Sequence, residues 1–290
     1  MANLRAIRKR IGSVKSTQQI TKAMKMVSAA KLKRAQDAIT AARPYARKIR
    51  DVVQAVAVRS EEGVHPLLST REGAKLALLV ITSDRGLCGG FNSNLLRAAQ
   101  RHIAENRERR GEIVLFAVGR KARDFFRRRR IELRKEYVNV LGSLSYAHAE
   151  QLSKDLVEGF LAREFDEVRV VYNEFRSAIS QVVRIETLFP IAIERKEGGE
   201  TAREIDYLYE PSREKILAAL LPKYVETQIF RALLESVAGE HGARMTAMDS
   251  ATNNAVDMIA RLTLQMNRAR QAAITKELME IIGGAEALKG

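Results

Sequence analysis

Three groups of side chains in this 290-residue chain have types and spacing that could do chemistry. The first is the turn Ser83-Asp84-Arg85-Gly86-Leu87-Cys88-Gly89-Gly90, set between a strand-like and a helix-like stretch. In α/β proteins that is the place where phosphates bind. The turn has neither GxGxxG nor the GK[ST] of a P-loop, so glycines serving a tight turn are favoured over a ligand loop. Asp84 stands where a sheet could present a catalytic carboxylate, although an Asp there more often caps the next helix. Cys88 is the only cysteine. With no base near it in sequence it reads as structural, and no internal disulfide or thiolate zinc site is possible. The second group, Arg127–Arg130, could grip phosphate, but a charged helix end is more often solvated. The third is Glu277 and Glu280, which at i+3 on a helix fit a solvated or ion-paired face better than acid–base work. His65, His102, His148 and His241 are scattered without metal-ligand spacing. No constellation supports an enzymatic reading, and no cofactor is expected.

The elements that must carry these residues fall into three zones. Residues 74–192 alternate strand and helix. Strands are expected at Leu76–Thr82, Ile113–Val118, Ile131–Val138, Val168–Tyr172 and about Ser180–Leu188. Helices are expected from about Asn92 to Asn106, over Arg120–Arg129 and over Tyr146–Glu164. Short β-branched runs separated by such helices predict a mostly parallel sheet with right-handed crossovers. The short link before the last strand predicts an antiparallel hairpin. Residues 193–210, with Gly198 and Gly199 among charges, read as a loop.

The terminal zones, 1–60 and 211–290, are helical. Leu4, Ile7, Ile11 and Val14 follow 3-4 spacing. The seam then shifts through Ile20, Met24 and Val27 and resumes from Leu32 to Val56, heptad-like with a polar fault at Lys15 to Gln19. Pro44 marks either a kink or a break. In the C-terminal zone Pro211 suits a helix start, while Pro222 and the Gly239/Gly242 pair put continuity in doubt. Ala243, Ala247, Ala251 and Ala255 form a small-residue stripe, continued by Ile259, Leu262, Met266, Ala269 and Ala273. Each terminal helix has one apolar stripe, so each needs a partner. An antiparallel pair of the two, with the α/β domain inserted between them, meets that need. The longer C-terminal helix should then project, leaving the apolar, small-residue stretch ITKELMEIIGGAEA (Ile274–Ala287) uncovered.

Charge narrows the partners. The formal net charge is +15, and residues 1–60 hold 15 basic residues against Asp37 and Asp51. A basic segment of that kind meets nucleic acid, an anionic membrane or an acidic protein. The longest apolar run, Leu76 to Ile81, is far short of a membrane span. Residues 1–20 lack the apolar core of a signal peptide.

Four stretches carry a resemblance. ITKELMEIIGGAEA, IRKRIGSVKSTQQITKAMKMVSAAKLKRAQ (Ile7–Gln36), DRGLCGGFN (Asp84–Asn92) and YLYEP (Tyr207–Pro211) are together similar to the gamma subunit of F-type ATP synthases, in that family's order and over essentially the whole chain. The resemblance implies an antiparallel coiled coil of the terminal helices with an inserted Rossmann-like α/β domain. It implies a central rotor shaft, without catalysis of its own. The shaft carries torque between the c-ring of the membrane and the ring of alpha and beta subunits, and it grips the epsilon subunit at its foot. Such a chain meets the membrane only through the complex, at the cytoplasmic face of the bacterial plasma membrane. Residue by residue, it implies contact with the hexamer and the acidic beta-subunit lever at Lys22, Met24, Lys25, Asp84, Arg85, Arg270, Gln271, Thr275 and Glu277. It implies an apical bearing at Leu278, Ile281, Ile282, Gly284 and Ala285, and a foot near the c-ring and epsilon at Tyr207 and Glu210. The cysteine pair of the chloroplast members is absent. If the likeness holds, Arg270, Gln271 and Glu277 should lie beside Lys22 to Val27.

Two other readings compete. A basic coiled-coil nucleic-acid binder would explain the charge, but no aromatic residue precedes Tyr45 in the basic segment, so base stacking is poorly served. An α/β enzyme or nucleotide-binding regulator would need a ligand at the Ser83–Gly90 turn.

Overall fold

The computed structural model describes residues 4–58, 65–71, 73, 75–107, 111–192 and 212–287. The loop expected over 193–210, Pro211, and the foot residues Tyr207 and Glu210 lie outside the described residues. The chain forms two compact units, Met1–Ser28 with Arg244–Gly290, and Ala29–Ala243. Both boundaries fall inside helices, because α1 spans Leu4–Val58 and α5 spans Arg213–Ala287.

The larger unit is built on a five-stranded sheet in the order β3-β2-β1-β4-β5. β1 (Lys75–Ile81) lies at the centre, parallel to β2 (Glu112–Val118) and β4 (Glu167–Phe175). β3 (Lys135–Tyr137) extends β2 in parallel, and β5 (Gln181–Phe189) returns antiparallel to β4, as the short link predicts. β1 is buried from Leu76 to Ile81, so its side chains feed two cores instead of alternating with solvent. Leu78 and Val80 pack with Leu95, Ala99 and Phe126 of α2 (Phe91–Arg107) and α3 (Arg120–Arg128). Phe116, the β2 neighbour of Leu115, points the other way and meets Phe165 edge-on, and α4 (Tyr146–Leu161) brings Phe160 against Phe189.

The strand expected over Ile131–Val138 is shorter than its β-branched pattern suggests. Arg130 is left-handed (φ 57°), and the Ile131 amide donates to the Phe126 carbonyl, closing the end of α3. Ile131 and Leu133 then pack onto the core instead of joining the ladder, and pairing begins only at Lys135.

Neither proline interrupts its helix. α1 continues through Pro44 and α5 through Pro222, and Gly239 and Gly242 do not break α5. Pro44 is exposed, so water can serve the carbonyl that loses its helical partner. The glycines are there for close approach. A Cβ on Gly242 would stand 3.1 Å from the Ala178 Cα, and one on Gly239 would stand 3.2 Å from the Phe91 ring.

This last point corrects the expectation of a single apolar stripe on α5. From Val225 to Glu240 its residues are buried or half-buried on every side. Tyr146 of α4 meets Phe230 edge-on and donates to Glu226; Arg231 pairs with Glu186 of β5; Gly239 abuts α2, β4 and β5. In this unit α5 is part of the α/β core.

Candidate interaction surface

The turn at the carboxyl end of β1 is the place to look first for a small ligand. It is filled by the chain itself. Ser83 and Asn92 bond twice: the Ser83 amide donates to Asn92 Oδ1 (3.0 Å), and Asn92 Nδ2 donates to Ser83 Oγ (2.8 Å). The Cys88 thiol is buried and lies 3.2 Å from Asn92 Nδ2, which settles it as a structural side chain. Asp84 is a cap, but of α3 and not of the following helix. Its Oδ1 accepts from the Arg120 amide (3.0 Å) and from the Asn139 amide (2.9 Å). Lys121 donates its amide to the Ser83 carbonyl, and Ala122 donates to Thr82 Oγ1. The first three amides of α3 could otherwise hold an anion, and all are taken. The fit needs Gly119 at φ 87°, where a Cβ would come within 2.1 Å of the Thr82 carbonyl oxygen. Arg85, by contrast, is exposed, as is Leu87 near it.

The smaller unit offers a surface of another kind. Its two helical stretches pair antiparallel: Thr21 Oγ1 and Thr252 Oγ1 are 2.7 Å apart, and Lys25 Nζ meets Asp249 Oδ1 at 2.6 Å. Nearer the chain start, Ile7 and Ile11 pack with Leu262, Ile259, Met266 and Ala269. The α1 seam runs Leu4, Ile7, Ile11, Val14, Gln18, Thr21, Lys25 and Ser28 without a fault, every one buried or half-buried. The expected shift through Ile20, Met24 and Val27 does not occur. Ile20 and Val27 are 60% and 57% exposed, while Met24 flanks the seam, half-buried. Polar Thr21 and Lys25 can occupy the seam because each has a partner across it, which removes the desolvation penalty.

The facing seam on α5 has the expected 4-3 spacing through Ala255, Ile259, Leu262, Met266, Ala269 and Ala273, but before Ala255 it runs through Met248 and Thr252, with the expected Ala247 and Ala251 only half-buried beside it. From Ile274 to Ala285 every side chain is exposed, including Ile274, Leu278, Ile281 and Ile282. The Glu277–Glu280 pair is a helix face, with Glu280 bonded to Lys276 at 3.3 Å. Outside the seam, Ile20, Met26 and Val27 on α1 and Val256, Met258 and Leu264 on α5 are also exposed. So much apolar surface on a two-helix unit marks a docking face. The seven basic residues of the α1 stretch 4–28, with no acidic residue among them, give that face a positive side.

These placements answer one expectation in the negative. Arg270, Gln271 and Glu277 do not lie beside Lys22 to Val27. Thr21 already faces Thr252, and Arg270 is 18 residues further along α5, about 27 Å at 1.5 Å per residue. The antiparallel register puts Lys22, Met24 and Lys25 at one level and Arg270, Gln271, Thr275 and Glu277 at another, past the α1 residues described.

Known proteins match this architecture end to end. The family model described as ATP synthase matches residues 3–288. The ATP synthase gamma chain of Trichlorobacter lovleyi is 54% identical over 290 residues, all of both chains. That of Geobacter metallireducens is 55% identical over the same span. The chain belongs to the ATP synthase gamma chain family. Among solved structures, a chain of the Tetrahymena thermophila mitochondrial ATP synthase central stalk and c-ring superposes with a TM-score of 0.63 at 28% identity, over 80% of this chain and 99% of that one. A chain of the Euglena gracilis mitochondrial ATP synthase reaches 0.64 at 21% identity, over 98% and 94%, and shares the fold. Within this gamma-chain architecture the apolar end and the basic α1 face are exposed among the described residues. The sequence signal for the second was the count of charges. The exposure of Ile20, Met26 and Val27 had none, because apolar residues in a helix read first as core.

Proposed function

We infer that this chain is the central rotor shaft of an F-type ATP synthase, transmitting torque between the c-ring and the catalytic alpha/beta hexamer. The full-length likeness to bacterial gamma chains carries this reading. It is a non-catalytic subunit; the bond chemistry belongs to the hexamer. Its partners are the alpha and beta subunits, epsilon and the c-ring. The nucleic-acid-binding alternative is not supported. The chain is a peripheral part of a membrane-bound complex, and no described helix is long and apolar enough to cross a membrane. Its site is the cytoplasmic face of the bacterial plasma membrane.

The geometry of the smaller unit supports assigned roles within that function. Leu278, Ile281, Ile282, Gly284 and Ala285 form the apical bearing. Apolar contact has no preferred direction, whereas hydrogen bonds do, so an oily tip can turn in a sleeve without locking. Lys22, Met24 and Lys25 meet the acidic lever of a beta subunit, with Asp84 and Arg85 near the same lever. Arg270, Gln271, Thr275 and Glu277 make a separate polar contact nearer the tip. Asp84 serves the lever contact only by fixing its own turn to the start of α3, and Arg85 touches the lever directly. Tyr207 and Glu210 serve the foot. Opposite potentials speed and orient encounter more than they tighten it, which suits a contact that must be made and broken each turn.

The test is reconstitution. The full chain mixed with alpha and beta subunits at low salt should give one copy per hexamer, and the chain alone should hydrolyse no ATP. Failure to associate, or hydrolysis by the isolated chain, would sink the reading. Replacing Ile281 and Ile282 by Ser should lower the torque or coupling of the complex without changing the melting of the isolated chain. Lys22→Glu should slow assembly most at low salt.

A further inference from the structure

Two turns at the carboxyl end of the sheet each hold a large aliphatic side chain out into solvent. The first follows β1 and the second joins β4 to β5, and β1 and β4 are neighbouring parallel strands. Leu87 is 65% exposed, and Ile179, at 84%, is the most exposed large hydrophobic among the described residues. Both turns stand on one base. Asn173 of β4 donates to the Phe91 carbonyl at the start of α2, and Gly239 of α5 abuts both Phe91 and Gln181.

Neither place is one where folding favours an aliphatic residue. Leu87 is left-handed (φ 63°), a conformation that is costly for a residue with a Cβ and free for glycine. Ile179 sits in a tight hairpin turn, where Gly, Asn, Asp or Ser is the usual choice. Yet both turns are pinned from within. The Arg85 carbonyl accepts from Ser83 Oγ at 2.7 Å and from Asn92 Nδ2 at 3.5 Å, with the Cys88 thiol 3.8 Å away. In the hairpin the Ser177 amide donates to the Ser180 carbonyl, the Ser180 amide donates to Ser177 Oγ, and Gln181 Nε2 donates to the Ser177 and Ala178 carbonyls. A single exposed aliphatic needs no explanation. Two of them, held in rigid turns at one end of the sheet and against local preference, mark a contact that loses little entropy on docking.

We propose that Leu87 and Ile179 are paired apolar anchors for the lever of a beta subunit, set on either side of the shared base. This rests on the placement of Arg85 at that lever. Among the chain's partners the lever is singled out by charge. Arg85 and Lys121 are exposed at the same end and have no ion pair among the described residues. The carboxylates there are already engaged: Asp84 accepts from the Arg120 and Asn139 amides, and Glu174 is held by Arg176 and Arg184. The anchors therefore stand in a positive setting, which suits an acidic segment with an apolar side.

The test uses the full complex of this chain with the hexamer and epsilon. Ile179→Cys, labelled with a benzophenone maleimide, should join to a beta subunit on irradiation; Cys88 is buried, and the parent chain shows any background from it. Arg85→Cys, labelled in the same way, checks the lever placement separately. Joining to beta from position 85 but not from 179 would overturn the proposal and leave that placement standing. Joining from neither would remove the placement and the proposal with it, and joining from 179 to alpha or epsilon would overturn the proposal outright. Leu87→Gly supplies a second readout. Because glycine suits the left-handed turn, the isolated variant should melt no lower than the parent, while the complex that carries it should lose torque. A lower melting temperature would show that Leu87 serves the chain's own fold, and unchanged torque would show that nothing seats on it; either result overturns the proposal.

Discussion

Residues 213–243 and 244–287 of α5 are one helix with two surroundings. In the first stretch Leu217, Ile229, Ala232, Leu233 and Ala238 have no exposed surface, and glycines admit neighbouring backbone and rings. In the second, from Asn253 on, one stripe is covered and the rest faces outward, and from Ile274 to Ala285 no side chain is buried or half-buried. Gly283 and Gly284 there have nothing within 4 Å of where a Cβ would stand. The contrast teaches that helix continuity and burial are separately decided. The first stretch is held by the core of the α/β unit, while the second leaves Ile274, Leu278, Ile281 and Ile282 exposed.

Truncation is the largest way to break the comparison. Leu233→Ala should cost about 2–5 kcal/mol, because it leaves a cavity in a packed core. Leu278→Ala should fall within about 0.5 kcal/mol of the parent, as surface changes do. Denaturant unfolding of both variants checks this, and equal losses would mean the tip is covered within the chain.

Glycine replacement tests the same division with the opposite chemistry. Gly242→Ala places a methyl 3.1 Å from the Ala178 backbone and should destabilise by about 1–3 kcal/mol. Gly283→Ala meets open space and should stabilise the helix by about 0.5–1 kcal/mol. Thermal melts with the two changes moving in opposite directions would sharpen the contrast; the same sign for both would break it.

A smaller effect is expected across the two-helix seam. Lys25 and Asp249 are each nearly half exposed, so a double-mutant cycle to Ala should return about 0.2–1 kcal/mol, diminishing with salt. A coupling of several kcal/mol would show the seam to be drier than its exposure indicates.

The smallest is a pH effect in the α/β unit. Burial, then the hydrogen bond to Glu226, pushes the Tyr146 hydroxyl up from 10.0 to about 12. A raised value means its stabilisation is complete below the ordinary value and lost as pH rises through the folded one. The melting difference between the parent and Tyr146→Phe should therefore be constant below pH 10 and shrink between 10 and about 12. A difference that grew with pH would place the hydroxyl in another environment.

Much of this was legible in the residues. The alternation of strands and helices over 74–192, the hairpin at its end and the 4-3 stripe from Ala255 to Ala273 follow from periodicity, which reflects the geometry of one element at a time. Reading failed where two elements share the decision. Lys15 to Gln19 reads as a polar fault and Ile20, Met24 and Val27 as a shifted seam, until Thr252 and Asp249 stand opposite Thr21 and Lys25. Ile131 reads as strand until its amide closes α3. Asp84 reads as a cap for the nearest helix, yet the helix it caps starts 36 residues later.

By itself the sequence determined that there would be two long terminal helices with facing stripes, a parallel sheet between them and a basic beginning to the chain. Local spacing and composition are properties of single elements, and they survive any arrangement of their neighbours. Only the tertiary structure decided that α5 would be enclosed over one stretch and bare over the next. It also decided that the phosphate-ready amides of α3 would be spent on Asp84, Ser83 and Thr82. Those outcomes depend on which distant groups arrive within a few ångströms, and burial and hydrogen bonding are settled at that range.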